Sequence, residues 1–269
     1  MICVILLEEK KRKMDMDKKE FATPKICGSI SGRTAKAVER QFAHAEKTGI
    51  DMIEWRLDSM AFTYEDYMNE KSTIRECIKI FEESPKPIIL TLRSSVEGGL
   101  FNGCTKEYFH ILKEMGGSLG FSMVDIEYAR WMDWENGPGG ILPCSNSARI
   151  VSHHDFKKTP VKKEIVDLLE RMAKLDARFV KGAFMAGDFF DTIRLMDAAL
   201  EFKRKVPEKE LIYMAMGEAG MASRILSGEA APAISYASMD MEKPTAPGQY
   251  KLDILLGILE LQKKQVSGR

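Results

Sequence analysis

Neither sign of charge is in excess in this 269-residue sequence: 40 Lys and Arg stand against 40 Asp and Glu, and the pI is near 6.9. A surface built to neutralise a polyanion is therefore not expected, which argues against nucleic acid as a partner. Cysteine is sparse and unorganised. Cys3, Cys27, Cys77, Cys104 and Cys144 are odd in number, scattered, and free of CxxC spacing. That excludes a disulfide framework and a structural zinc site, and it fits reduced thiols in the cytoplasm. With four His and no ligand spacing among them, no metal is expected either. Long apolar runs are also missing: nothing approaches the ~18 residues of a membrane span, so no membrane association is expected. The apolar start from Met1 to Leu7 runs straight into charged residues from Glu8 to Glu20 and has no cationic lead-in. It makes a poor signal peptide, and residues 1–22 read as an N-terminal extension.

What is present is alternation. The composition is 45% hydrophobic and 30% charged, enough for a sizeable core. Short apolar runs occur at Lys25–Ser29, Met52–Leu57, Pro87–Leu92, Phe121–Ile126, Ala148–Ser152, Arg178–Met185, Glu210–Met216 and Pro232–Ala237. Between them lie stripes with helical spacing: Ala35, Val38, Phe42 and Ala45; Ile74, Ile78 and Phe81; Ile165, Leu168, Leu169 and Met172; Ile193, Met196 and Leu200; Leu252, Leu255 and Leu259. The strand candidates start 22 to 35 residues apart, close to the ~30 residues of one βα unit. Eight such units in about 250 residues match an α/β (β/α)8 TIM barrel forming a single domain over 23–269. A doubly wound sheet is the rival, but no GxGxxG follows the first strand. The segment from Trp131 to Pro143 is too rich in Gly and Pro for a long helix.

In a barrel alternate strand residues point inward, and chemistry gathers at the C-terminal strand ends. Glu54 and Arg56 share parity on the second strand, Arg93 ends the third, and Asp125 and Glu127 share parity on the fourth. Taken singly, each could belong to an ion pair lining the barrel. Lys181 is the odd one, flanked by Phe, Val and Ala in a core strand. Burial disfavours an ammonium, so the residue is either ion-paired with Asp125 or Glu127, turned outward, or an amine prepared to attack a carbonyl as a Schiff-base nucleophile. His154 closes the preceding strand and could move protons for it. His153 and His154 point to opposite faces, so one of the two can enter the site.

These residues resemble those of the type I 3-dehydroquinate dehydratases from about Pro24 to Gln249. His154-Asp155-Phe156 followed by Lys158-Thr159-Pro160 resembles that family's His-Asp-Phe-x-Lys-Thr-Pro signature. The Lys181 strand resembles its Schiff-base strand; Glu54-Trp55-Arg56-Leu57-Asp58 and Arg93-Ser94-Ser95-Val96-Glu97-Gly98-Gly99 resemble its second- and third-strand motifs. Ser223-Arg224 and Ala246-Pro247-Gly248-Gln249 match the ends of strands seven and eight. The agreement of six motifs in family order is far more specific than any one of them.

The resemblance implies a (β/α)8 barrel, a homodimer, no cofactor, and conversion of the small-molecule substrate 3-dehydroquinate to 3-dehydroshikimate in the shikimate pathway. It implies Lys181 as the Schiff-base lysine, His154 as general acid and base, and Glu97 as the carboxylate that orients His154. It also implies that Arg224, helped by Gln249, binds the substrate carboxylate, and that Glu54, Arg56 and Arg93 hold ring hydroxyls, with Ser29 and Thr245 as further contacts. Three positions depart from the family pattern. Ala215-Met216-Gly217-Glu218-Ala219-Gly220 replaces a Lys-Thr-Gly, Thr245 replaces a Ser, and Met185-Ala186 replaces a Met-Pro. Of these, Glu218 could change the local electrostatics. A Schiff-base aldolase for a phosphorylated sugar is one alternative and would need a phosphate cradle after strands seven and eight. A non-catalytic metabolite-binding barrel is the other, and intact Lys181, His154 and Arg224 argue against it.

Overall fold

The computed structural model describes residues 22–115, 121–136, 147–239 and 245–267. The expected extension over 1–22 lies outside the described residues except for Ala22, and so do Cys3, Cys144 and most of the Gly/Pro-rich stretch before Pro143. Eight strands follow one another: β1 (Lys25–Ile30), β2 (Met52–Arg56), β3 (Ile88–Thr91), β4 (Met123–Glu127), β5 (Ala148–Asp155), β6 (Phe179–Met185), β7 (Glu210–Met216) and β8 (Ile234–Ser238). All ladders are parallel, in the order β7-β6-β5-β4-β3-β2-β1-β8. At the seam between β7 and β8 the Ala233 N–H donates to the Leu211 carbonyl at 2.8 Å, and the barrel is nearly closed there. The expected barrel is thus the observed fold.

The helices α1 (Ala35–Glu46), α2 (Tyr64–Asn69), α3 (Lys71–Glu82), α4 (Thr105–Met115), α5 (Tyr128–Asn136), α6 (Lys162–Ala173), α7 (Phe189–Lys205) and α8 (Leu252–Ser267) fall between and after the strands. No α-helix follows β7; 3-10 turns at Glu218–Ile225 and Gly228–Ala230 take its place. Thr34 starts α1 by accepting a hydrogen bond from the Ala37 N–H at 3.2 Å. The stripe expected on α7 is displaced by one residue. Ile193 is exposed, and the buried face is Thr192, Leu195, Ala198, Ala199 and Phe202. Two stripes of helical spacing lie side by side on that helix, and the one carrying Leu195 and Phe202 turns to the core.

Strand parity divides the core into two apolar clusters. One lies between the sheet and the helices and includes Trp55, Leu90, Val124, Val151 and Phe184. The other fills the barrel, with Met52, Ile89, Met123, Ile150 and Phe179 among its members. Two residues further along the same strands, the inward positions become polar: Glu54, Thr91, Asp125, Ser152 and Lys181, all buried. Two further still come Arg56, Arg93, Glu127 and His154. An apolar plug therefore carries a charged layer on its upper side, at the C-terminal ends of the strands.

Trp55 shows how firmly parity is set. It alternates with Glu54 and Arg56, is fully buried, and packs its ring 4.9 Å from Phe81 and 6.0 Å from Phe121. No helix of the described residues is long and apolar enough to cross a membrane. Trp55→Ala is expected to lower the unfolding free energy by about 3–5 kcal/mol, the usual effect of emptying a large aromatic site. A urea titration reads it, and a loss below about 1 kcal/mol would show that the outer cluster does not anchor β2.

Candidate active site

The charged layer opens into a small cavity of about 50 Å³ that communicates with solvent. Lys181 and Glu54 reach it from the strands, and Arg56, Arg93, Glu97 and His154 from the strand ends and the loops after them. Thr245, Ala246 and Gln249 cover it from the loop after β8. Phe156, Ala183, Met214, Met216 and Tyr236 supply apolar wall. Of the residues expected from sequence, Ser29 and Arg224 do not line the cavity. Ser29 acts one step back, its hydroxyl donating to Glu54 Oε2 at 2.7 Å while Thr91 donates to Oε1 at 3.0 Å. Among the described residues no cluster of His, Cys, Asp and Glu is placed to hold a metal ion.

Lys181 is 3% exposed, and its Nζ lies 2.9 Å from Asp125 Oδ2 and 3.8 Å from Glu54 Oε1. Of the readings open from sequence, the buried ion pair with Asp125 is the one observed. Such a pair also fixes the amine's position, so it is compatible with a reactive role. Asp125 meets Arg93 Nη2 through its other oxygen at 2.7 Å and accepts a hydrogen bond from the Ser152 hydroxyl. Burial works against its charged form, but Arg93 and Lys181 outweigh that and hold the carboxyl well below the usual carboxylate range.

His154 points inward, and its Nδ1 lies 2.8 Å from Glu97 Oε2, which also accepts the His154 backbone N–H at 3.1 Å. The second nitrogen, Nε2, is thereby left for the cavity. Burial, then Arg93 and Lys181, push the imidazole well below its ordinary pKa, while burial and Glu127 push the Glu97 carboxyl up. His153, at the opposite parity, packs against Phe184 with its ring 5.9 Å away. Gly98 holds Glu97 in place from the other side. It ends the 3-10 turn Ser95–Glu97 with φ of 80°, and a Cβ there would sit 2.2 Å from the Phe156 ring.

The three arginines do not form the simple cationic patch that their sequence positions suggest. Arg56 makes a two-bond pair with Asp58, both bonds 2.8 Å. Arg93 is paired with Asp125, with Glu127 at 3.2 Å and with Glu97 at 3.5 Å. Only Arg224 lacks a carboxylate partner among the described residues. It is 1% exposed, and its Nη2 donates to the Pro247 carbonyl at 3.1 Å. Nη1 faces Met214 Sδ at 3.6 Å, and Nε has no partner. Burial lowers its pKa to about 10. A guanidinium stored dry and without a counter-ion, just behind the wall of the cavity, is suited to receive an anion. The loop that covers it is tight: Gln249 Oε1 accepts from Thr245 N, Thr245 Oγ1 and Ala246 N, and a Cβ on Gly248 (φ 72°) would meet the Gly217 carbonyl oxygen at 2.2 Å.

Sequence reasoning had Asp125 only as a possible partner of Lys181, and it passed over Tyr236, Met214, Met216 and Asp58 as site residues. Their inward parity on β4, β7 and β8 was a usable signal for all but Asp58, which follows β2. Asp58 becomes important through contacts distant in sequence, accepting from the Arg93 and Leu100 backbone N–H groups at 3.2 and 3.1 Å. Glu218 is exposed and does not line the cavity, so it has no direct part in the site.

A family model described as Type I 3-dehydroquinase matches residues 26–266. A 3-dehydroquinate dehydratase of Alkaliphilus oremlandii is 32% identical over 243 residues, covering 90% of this chain and 92% of that protein. One from Salmonella typhimurium is 30% identical over 240 residues, covering 88% and 92%. Among solved structures, the type I 3-dehydroquinate dehydratase of Clostridium difficile, with covalently modified comenic acid, superposes with a TM-score of 0.77 at 28% identity, covering 91% of this chain and 94% of that one.

The contrast between the two buried arginines has a measurable consequence. Arg93→Met strips Asp125 and Glu127 of a counter-ion and should cost about 3–5 kcal/mol of stability. Arg224→Met removes a cation that has no carboxylate and should leave the fold as stable or up to about 2 kcal/mol more stable. Urea titrations of the two variants read the difference; equal destabilisation would mean that Arg224 is neutralised in the fold.

Proposed function

The chain belongs to the type I 3-dehydroquinase family, whose members are hydro-lyases, and from that premise we propose that it dehydrates 3-dehydroquinate through a Schiff base on Lys181. The observation that carries this is the meeting of a buried amine and a histidine turned inward by a carboxylate at one small cavity, with a dry guanidinium that has no carboxylate partner among the described residues just behind its wall. Arg224 accepts the substrate carboxylate, exchanging its bond to the Pro247 carbonyl for it, while Gln249 and Thr245 close the loop over the ring. Arg56, Arg93 and Glu54 face the ring hydroxyls. Held there, the ketone lies against Lys181.

The Lys181 ammonium gives up a proton to Nε2 of His154, and the amine so formed adds to the carbonyl carbon as the C–N bond forms. That proton and a second one from nitrogen pass through His154 to the carbonyl oxygen, which leaves as water, so a protonated imine and a neutral His154 remain. The protonated imine is an electron sink, so the neighbouring C–H becomes acidic. Nε2 of His154 takes that proton, and the C–H electrons move into the imine to give an enamine. The enamine expels the hydroxyl on the next carbon, and the His154 imidazolium gives it the proton, so that water departs. A second water then hydrolyses the conjugated imine, restoring the ketone and the amine. A lowered imidazole pKa serves both halves: the ring is free base at neutral pH, and once protonated it is a strong acid toward the leaving hydroxyl. Glu97 keeps Nδ1 engaged, which holds Nε2 on the substrate side.

The product's place is the shikimate pathway of aromatic amino-acid biosynthesis. The family resemblance carries the homodimer with it, and the free thiols of Cys27, Cys77 and Cys104 suit the cytoplasm. An aldolase for a phosphorylated sugar would need free backbone N–H groups after β7, where the Gly217 N–H is instead directed at the Pro247 carbonyl at 3.3 Å.

Incubation with 3-dehydroquinate and borohydride should leave a reduced adduct on the Lys181 peptide, read by mass spectrometry. Lys181→Ala should abolish it, and His154→Ala should retain it while losing about two to four orders of magnitude in kcat. An unmodified peptide with no enone absorbance in the untreated reaction would sink the assignment. The acid limb of kcat/KM should lie below the ordinary imidazole value of ~6.5, because the free enzyme's His154 protonates only at lower pH. A limb at or above that value would contradict the role given to burial.

A further inference from the structure

Tyr236 has no part in the reading above, and the geometry gives it one. It sits at the inward parity of β8, lines the cavity, and places its ring centroid 4.3 Å from Lys181 Nζ. Its hydroxyl is buried without a hydrogen-bond partner among the described residues. A buried tyrosine normally engages its hydroxyl. Here no described residue takes up the oxygen, and what meets Nζ is the face of the ring. That face is electron-rich and attracts a cation within about 6 Å. Nζ thus has three attractive neighbours: the carboxylates of Asp125 and Glu54 and the face of this ring.

We propose that Tyr236 is a positioning residue for the Schiff-base nitrogen, its ring face holding Nζ in place as a cation through the imine stage. The proposal rests on the Lys181 Schiff-base reading. The three neighbours respond differently to condensation. An ammonium has three N–H donors, whereas a protonated imine has one, lying in the plane of the C=N group. That single donor can keep a hydrogen bond to one carboxylate and not to both. The attraction of the ring needs no donor hydrogen, so it persists. The ring also covers one side of Nζ against water, since Lys181 and Tyr236 are both 3% exposed.

The test compares ring with no ring, using the yield of borohydride-reduced adduct formed with 3-dehydroquinate. Tyr236→Phe keeps the ring and is the reference. Relative to it, Tyr236→Leu should lower the adduct yield about tenfold, the size of a desolvated cation–π contact, with kcat falling more than KM rises. Mono-, di- and trifluorinated phenylalanine at position 236 should lower the yield step by step at constant Tm, because fluorine drains the ring face and barely changes its shape. That series decides the matter even if the leucine variant fails to fold. A flat fluorine series overturns the proposal. So does a leucine variant that matches Tyr236→Phe, or a Phe variant that falls as far below wild type as the leucine one. Absence of any adduct in the wild-type enzyme would defeat the Schiff-base reading instead.

Discussion

Asp125 is a carboxylate with almost no access to water, 2.7 Å from one cation and 2.9 Å from another. Removing any of the three charges leaves the others buried and uncompensated, which is far more costly than never having placed them there. The arrangement constrains everything above it. Arg93 is fixed by Asp125 and so can reach Glu127 and Glu97; Glu97 in turn holds Nδ1 of His154. Lys181 is fixed on the opposite side of the same carboxylate. A single buried anion thereby sets the separation of the nucleophile from the group that moves its protons.

This charged layer can exist because the barrel below it is dry and packed. Met52, Ile89, Met123, Ile150 and Phe179 occupy the inward positions one step earlier on the same five strands. They exclude water from the underside, so the fields of Asp125, Arg93 and Lys181 act through little screening. The same dryness pushes His154 toward its neutral form and leaves Arg224 as an unpaired cation. Stability and chemistry pull against each other here: Arg224 contributes no ion pair to the fold, and its value is to an incoming anion.

Much of this was legible in the sequence because a strand has a period of two. Once the apolar runs are placed, Glu54 and Arg56, Asp125 and Glu127, and Ser152 and His154 must share faces, and Lys181 cannot avoid the interior unless its strand slips by one residue. Helical faces were harder to read. On α7 two stripes of similar spacing compete, and tertiary packing selected the one that carries Leu195 and Phe202. The charge state of the mouth was not legible at all. Arg56, Arg93 and Arg224 look alike in sequence, yet the first two are spoken for by Asp58 and by three carboxylates, while the third has none among the described residues.

The sequence by itself determined the eight-fold alternation, the inward parity of the polar residues and the motifs that mark the family, since each follows from neighbours along the chain. The tertiary structure alone decided which charges meet. Asp125 and Lys181 are 56 residues apart, and Glu97 and His154 are 57 apart. Their distances come from the stagger of parallel strands around the barrel, not from anything local. The same holds for Arg224 lying behind Met214 and for Tyr236 facing Lys181. The neutral balance of 40 against 40 charges is likewise only an average. Among the described residues, contact geometry neutralises Arg93 and Lys181, while Arg224, behind the cavity wall, has no carboxylate partner.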